Sequence, residues 1–436
     1  MPTVSLHTLG CKLNHAETSA MARQFIERGY DVVEFGARAD VTVINTCTVT
    51  GRADRECRQL IRRSLRASSD SFVLVTGCYA QLEPEQVASI EGVGAVLGSR
   101  EKFSIFDHLN PDNRSGGPQV HVSDISKGDD FGVAYSSDEN GRTRAFLKVQ
   151  DGCDYNCSFC TIPLARGGSR SQPIDACVRQ AEMLVSQGYK EIVLTGVNVG
   201  DYGRKDSENL LKLLMRLESV AGIERLRISS IEPNLLTDAI IDLVADSKVL
   251  CNHFHIPLQS GDDRILRSMR RRYDTRAYAG RIARVRDRIP NCGIGVDVIV
   301  GFPGETEEHF SNTVSFVDNL PVSYLHIFTY SERPNTPAAQ YDQPVRPERR
   351  FARSRALRML GRKKRNAFHQ SRMGAVRPVL LEGEVRDGLR FGFTEEYIRV
   401  GVPAEGTEEN TIVNTMISGA DDEACRGRIV TPEVAG

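Results

Sequence analysis

Three cysteines fall at C-x3-C-x2-C spacing in one short segment, Cys153-Asp154-Tyr155-Asn156-Cys157-Ser158-Phe159-Cys160. Three thiolates do not complete the closed, four-coordinate site of structural zinc. On a four-iron cluster, three thiolates leave one iron without a protein ligand, and that iron can take a substrate; thiolate ligation is how proteins usually hold such clusters. The bland alternative is three buried cysteines acting as small hydrophobes.

A second set is dispersed. Cys11 follows Thr8-Leu9-Gly10, Cys47 follows Asn45-Thr46, and Cys78 follows Thr76-Gly77. Each stands just beyond a β-rich apolar run: Val4–Thr8, Val41–Ile44 and Phe72–Thr76. In a parallel sheet those strand ends share one edge, so the three thiols can converge. Single cysteines are also common packing residues, and both readings stand on the residues alone. Cys57, Cys177, Cys251, Cys292 and Cys425 match no motif and are read as structural.

The elements around these thiols alternate strand and helix. Helices are expected at Ala16–Arg28 and Ala53–Arg66 between the first strands, which makes a small parallel sheet over residues 1–104. Residues 105–141 hold polar, turn-rich stretches (111–117 and 136–141) and read as a linker with a strand at Gln119–Val122. Residues 142–372 carry six more strands: Ala145–Gln150, Glu191–Thr195, Arg225–Ser229, His253–Ile256, Ile294–Val300 and Tyr324–Thr329. Helices at Asp175–Gln187, Leu210–Val220, Asp238–Asp246 and Glu307–Asn319 separate them. Six parallel strands with crossover helices curl into an incomplete (βα)6 barrel, whose chemistry belongs at the carboxyl strand ends. The cysteine loop begins just after the first of these strands. Residues 373–436 read as short strands with Gly-rich and acidic turns (Val379–Val385, Arg390–Thr394, Tyr397–Val402, Thr411–Ile417, Cys425–Val430), a small β-barrel. The fold class is α/β with a β-barrel at the C-terminal end.

At 436 residues the chain needs two or three cores. Its 40% hydrophobic and 26% charged residues are those of a globular protein, and no apolar run reaches membrane-spanning length. Eleven cysteines without a recognisable export signal point to metal ligation in a reducing, cytoplasmic setting rather than to disulfides. A net charge of -1 hides one basic stretch: Arg346–Arg372 holds eleven Lys or Arg against Glu348. Arg362, Lys363, Lys364 and Arg365 are its centre. Such a stretch binds RNA phosphate or is a solvated helix; the triplet Arg270–Arg272 and the helix bearing Arg55, Arg58, Arg62 and Arg63 admit the same two readings.

The Cys153–Cys160 segment resembles the signature of the radical S-adenosylmethionine (SAM) enzymes. Together with Thr8–Asn14, Asn45–Thr50, Thr76–Gln81, Ile162-Pro163 and Arg166-Gly167, it resembles the methylthiotransferases over nearly the whole chain. Residues 10–18 and 45–50 look most like the branch that acts on threonylcarbamoyladenosine in tRNA. This resemblance implies an N-terminal cluster domain, a radical SAM barrel and a C-terminal RNA-binding TRAM barrel. It implies two [4Fe-4S] clusters, one on Cys11, Cys47 and Cys78 and one on Cys153, Cys157 and Cys160. It implies two uses of SAM: methyl donation at the first cluster, and reductive cleavage to a deoxyadenosyl radical at the second, with electrons from a donor such as flavodoxin or ferredoxin. SAM contacts are expected at Thr195, Gly196 and Asn198, where many radical SAM enzymes carry a Gly-Glu pair that this chain lacks. Others are expected at Ser229 and Glu232, at His255 and Gln259, and at Val300. Arg166 and Arg170 are expected to reach SAM carboxylate or RNA phosphate. Lys12, Leu13 and Asn14 are expected to line the cavity, with Lys12 or Arg166 facing the substrate's carboxylate. The implied reaction is methylthiolation at C2 of the modified adenosine beside the anticodon. Two alternatives remain: a relative modifying an aspartate of ribosomal protein S12, against which the residues after Cys11 and the basic stretch speak, and a non-catalytic iron–sulfur RNA-binding or sensor protein, against which the SAM-like strand ends speak.

Overall fold

The computed structural model describes residues 1–48, 51–109, 117–127, 131–136 and 143–430. Val49, Thr50 and most of the two turn-rich stretches lie outside the described residues.

The N-terminal sheet has six strands, all parallel, in the order Asp31–Val33, Thr3–Thr8, Val41–Thr46, Phe72–Gly77, Val93–Leu97, Gln119–His121. Its two central strands are buried at every position, as expected for a parallel sheet covered on both faces. The last strand comes from the segment that composition reads as a linker. Its polar sequence fits an edge strand, which water can solvate on one side. The helices run Lys12–Glu27 and Gly51–Ala67. The first begins four residues earlier than its apolar pattern suggests, so Lys12, Leu13, Asn14 and His15 are helical rather than loop.

The six barrel strands lie where expected: Arg144–Lys148, Glu191–Thr195, Arg225–Ile228, His253–His255, Gly293–Val300 and Tyr324–Thr329. They form two parallel three-stranded sheets. Bridges between Leu226 and Leu250 and between Ser230 and His255 join them. The outward residues of the strands and the helices outside them make the largest apolar core. The first helix of the chain packs into the barrel, where Ala16 and Ala20 meet Phe146 and Val193. Small residues on that helix face allow this close approach.

The basic stretch is one helix, Pro347–Gln370. Beyond it, five strands close into a barrel in the order Val376–Arg386, Leu389–Phe393, Arg399–Pro403, Cys425–Ile429, Ile412–Ala420. This barrel docks beneath the larger one. Arg225 donates to the carbonyls of Phe393 (2.8 Å) and Pro378 (2.7 Å), and Arg227 to that of Glu395 (2.7 Å). Gly293 is required there, because a Cβ would sit 2.0 Å from the Glu396 carbonyl oxygen. Cys57, Cys177, Cys251, Cys292 and Cys425 are all buried. Among the described residues no helix is long and apolar enough to cross a membrane.

Candidate active site

Strand register brings the dispersed cysteines to one edge. Thr8 pairs with Asn45 and Asn45 with Thr76, so three adjacent strands end at one level. Cys47 and Cys78 each follow by two residues and Cys11 by three. Two glycines make room. Gly10, at φ +102, would place a Cβ 2.6 Å from the Cys47 Cβ; Gly77, at φ +94, would place one 2.5 Å from the Thr46 carbonyl oxygen. Both positions demand a residue without a side chain. Asn14 holds the edge by donating to the carbonyls of Leu9 (2.7 Å) and Thr46 (3.0 Å). Cys11 is exposed, whereas Cys47 and Cys78 are buried. Desolvation by the surrounding protein raises the pKa of Cys11, and Arg166 opposes that rise.

The second set lies in the loop after the first barrel strand. Burial pushes the thiol of Cys153 up to about 11 and that of Cys160 up to about 12. Groups bonding to sulfur favour the thiolate: the Tyr155 N–H donates to Cys153 Sγ at 3.4 Å, and Arg271 Nη1 to Cys157 Sγ at 3.0 Å. A cavity of ≈ 210 Å³ opens beside Cys160, lined among others by Phe159, Gln259, Asp297, Ile299 and Phe328. Thiolates are the usual ligands of iron–sulfur clusters. The donor set fits a cluster with one open iron.

The residues expected at SAM differ in their surroundings. Thr195 Oγ1, both polar side-chain atoms of Asn198, and Ser229 Oγ are buried with no hydrogen-bond partner among the described residues. Buried polar atoms are seldom left so, and a ligand rich in amine, carboxylate and hydroxyl groups fits them. Gly196 stands against Gln150, whose Oε1 would be 2.8 Å from a Cβ there. Gln259 lines the cavity at φ +69. Glu232 and His255 are already paired: Glu232 with Arg271, His255 with Ser230 Oγ (2.7 Å) and Asp297 Oδ1 (2.8 Å). Val300 does not face the cavity. It belongs to the outer core, and the two-residue period of its strand turns Ile299 and Asp297 inward instead.

Arg166 is not a surface residue. It is 2% exposed and bonds Glu17, Asp151 and Asn14, so it cannot reach RNA phosphate. Arg170 is mostly covered, donating to the Gly168 carbonyl at 3.0 Å. Leu13 and Asn14 are buried, whereas Lys12 reaches the Tyr397 ring at 5.7 Å.

The sequence reads the triplet at 270–272 as a phosphate site or solvated surface and does not show that Arg271 serves the cysteine loop. Arg271 instead meets Cys157, and Arg272 stacks on Tyr155 at 3.8 Å and donates to the Asp154 carbonyl at 3.1 Å. Burial opposes the charge on Arg271, but Tyr273, Glu232 and Cys157 outweigh it and hold the pKa well above the usual value. No local signal distinguishes an arginine braced on sulfur from one in solvent.

The basic helix also sorts its cations. Arg350 and Arg353 are buried and bonded to Glu332 and Glu305. Lys364 donates to the carbonyls of Asp318 and Leu320, closing the end of the Glu307–Asn319 helix, and Lys363 lies 3.4 Å from Asp318. Arg355, Arg358, Arg362 and Arg365 line one groove with Tyr324 and Leu325, a cavity of ≈ 330 Å³. Their spacing keeps them on one helix face. On the Gly51–Ala67 helix, Arg58 donates to Tyr79 and Arg63 lies over Phe35.

Residues 147–317 match the Radical SAM superfamily, and residues 3–98 match the Uncharacterized protein family UPF0004. Threonylcarbamoyladenosine tRNA methylthiotransferase MtaB of Bacillus subtilis is 40% identical, over 94% of this chain and 92% of that protein. Its Aquifex aeolicus namesake is 38% identical, over 93% and 97%. The tRNA-2-methylthio-N(6)-dimethylallyladenosine synthase of Deinococcus radiodurans is 31% identical, over 98% and 85%. In fold, the chain resembles the radical SAM methyltransferase TsrM of Kitasatospora setae, with a TM-score of 0.57 at 16% identity, over 78% of this chain and 77% of that one. With both family matches in place and these relatives aligned along nearly their full length, the chain belongs to the radical SAM methylthiotransferase family, beside the threonylcarbamoyladenosine tRNA enzymes.

Proposed function

We propose that this protein adds a methylthio group to C2 of N6-threonylcarbamoyladenosine beside the anticodon of tRNA. In this reading Cys153, Cys157 and Cys160 hold the SAM-binding [4Fe-4S] cluster, and Cys11, Cys47 and Cys78 hold a second one. The observation that carries the reading is the alignment of Thr8, Asn45 and Thr76, which brings three far-separated thiols to one edge of the sheet. The names of the relatives supply the substrate.

An aromatic C–H offers no acidic proton and no leaving group, so acid–base side chains do not suffice. The bound clusters and SAM supply radical and sulfur-transfer chemistry, and the protein supplies binding and orientation. Thr195, Asn198 and Ser229 offer their unpaired polar atoms to SAM. Phe159, Ile299 and Gln259 shape the cavity beside Cys160. Arg271 holds positive charge against Cys157. The arginine groove at 355, 358, 362 and 365 suits tRNA phosphates, and a loop base such as that beside the anticodon is already available for insertion. A low-potential electron donor such as flavodoxin or ferredoxin completes the cycle in the cytoplasm.

The test uses reconstituted, reduced protein with tRNA bearing threonylcarbamoyladenosine, tRNA bearing isopentenyladenosine, and ribosomal protein S12. Nucleoside and peptide mass spectrometry should find product on the first only. Product on either other substrate, and none on the first, overturns the substrate. Absence of deoxyadenosine release from SAM overturns the enzyme reading altogether.

A further inference from the structure

A buried group of charges joins the N-terminal sheet to the barrel. Arg166 Nη1 lies 2.9 Å from Glu17 Oε1 and 2.9 Å from Asp151 Oδ1. Its Nη2 lies 2.9 Å from Glu17 Oε2 and 2.7 Å from Asn14 Oδ1. Lys102 Nζ is 2.6 Å from Glu17; Lys148 Nζ is 2.7 Å from Asp151 and 3.3 Å from Glu17. Glu17, Lys102 and Lys148 have fully buried side chains. Three cations therefore face two carboxylates, and Arg170 adds a fourth cation 3.7 Å from Asp151.

Surplus positive charge closed off from water is costly unless an anion stands beside it. Burial draws Lys102 below its usual amine value, with Glu17 opposing. Arginine has no such escape, because it does not give up its proton in proteins. Arg166 therefore keeps its charge, and with Lys102, Lys148 and Arg170 it shares only two carboxylates. The cysteine edge lies next to it: the Ile162–Arg166 helix packs on the Cys78–Leu82 helix, and Asn14, which accepts from Arg166 Nη2 at 2.7 Å, donates to the carbonyls of Leu9 and Thr46, two residues before Cys11 and one before Cys47. An iron–sulfur cluster carrying three thiolates is an anion.

We propose that Arg166 is the counter-charge of the cluster at Cys11, Cys47 and Cys78 and sets its reduction potential, with Glu17 trimming the effect. Arg166 is a positioning residue and acts through the cluster's electrostatics. It stands six residues after Cys160 and ends the Ile162–Arg166 helix that follows the cysteine loop. The barrel's own SAM loop thus supplies the charge that poises the neighbouring site. Net charge near a cluster is a main determinant of its potential, and positive charge favours the reduced form. The inference rests on the two-cluster reading.

The experiment is a redox titration, followed by electron paramagnetic resonance, of the reconstituted full chain. Cys153, Cys157 and Cys160 are changed to Ala in all samples so that one cluster is observed. Arg166→Gln should move the midpoint negative, Glu17→Gln should move it positive, and Arg166→Lys should restore it to near the starting value. A role confined to holding the domains together does not produce opposite signs. Shifts of the same sign, or none, overturn the proposal. If Arg166→Gln fails to retain iron, the sign for Glu17→Gln against Arg166→Lys decides alone. A background protein that binds no iron instead overturns the two-cluster reading, and this inference with it.

Discussion

Arg271 donates to the sulfur of Cys157 at 3.0 Å, from a position 114 residues further along the chain. The same guanidinium pairs with Glu232 and donates through Nε to Tyr273 Oη at 3.0 Å. Tyr273 in turn donates to the carbonyls of Pro257 and Leu258, at the end of the fourth barrel strand. The cysteine loop is thus tied to the opposite side of the barrel through one side chain.

Arg271→Ala should lower iron retention or SAM cleavage by about 10-fold or more, the usual cost of losing a group that orients a metal ligand. Arg272→Ala, which loses a ring contact and one carbonyl bond, should cost far less. Iron analysis and deoxyadenosine release check both, and equal effects would remove the special role of the Cys157 contact.

Changing Cys153, Cys157 and Cys160 together to Ala should halve the iron content and end SAM cleavage. Changing Cys11, Cys47 or Cys78 singly should leave reductive cleavage measurable while abolishing product. Each set is complete in ligands without the other. Equal iron loss from both sites in the second group would contradict separate roles.

Neutralising Arg355, Arg358, Arg362 and Arg365 should weaken tRNA binding and flatten its salt dependence, by about one unit of slope or less for each lost phosphate contact. Lys364→Gln should have little effect on that slope, since its amine is engaged with the Asp318 and Leu320 carbonyls. An unchanged slope in the arginine variant returns the groove to ordinary solvated surface.

Acid should loosen the joint between the N-terminal domain and the barrel. Burial opposes ionisation of Glu17, but Arg166, Lys102 and Lys148 outweigh it and hold its pKa far below the usual carboxylate range; Asp151 is held down likewise, chiefly by Lys148 and Arg166. A depressed carboxylate contributes stability that is fully present above its unfolded value, near 4, and is lost as pH falls toward its folded value. The urea midpoint should therefore drop between pH 6 and roughly pH 3, and drop less steeply in Glu17→Gln. A wild-type midpoint flat over that range would contradict the charge assignment.

Tyr397 joins three parts of the chain. It stacks on Phe393 (4.9 Å) and lies near His253 (5.0 Å), and Lys12, Arg144 and Arg227 surround its ring. Tyr397→Ala should destabilise the docked C-terminal barrel by about 2 kcal/mol, less than removal of a fully buried aromatic ring, because Tyr397 is partly exposed. Differential scanning calorimetry would show it as an early, separate transition.

The chemistry was legible in the sequence because it depends on local spacing. Cys153, Cys157 and Cys160 share one loop, and the strands that carry the other thiols are continuous apolar runs whose ends can be read directly. The six barrel strands and the C-terminal β-strands were legible for the same reason: period and turn residues are local. The roles of single charges were not. Arg166, Arg271 and Lys364 look like surface cations in the sequence, yet each is spent on a partner tens or hundreds of residues away. Val300 and Ile299 are equally apolar, and only the facing of their strand decides which one meets the cavity. A strand is legible at Gln119–Val122 inside a polar, turn-rich stretch, but only pairing with Val93–Leu97 makes it the sheet's edge. Local free energies set which residues form strands, helices and ligand loops. Which charges end up buried together is decided by long-range packing, because a charge's partner is chosen by the fold and not by its neighbours in sequence.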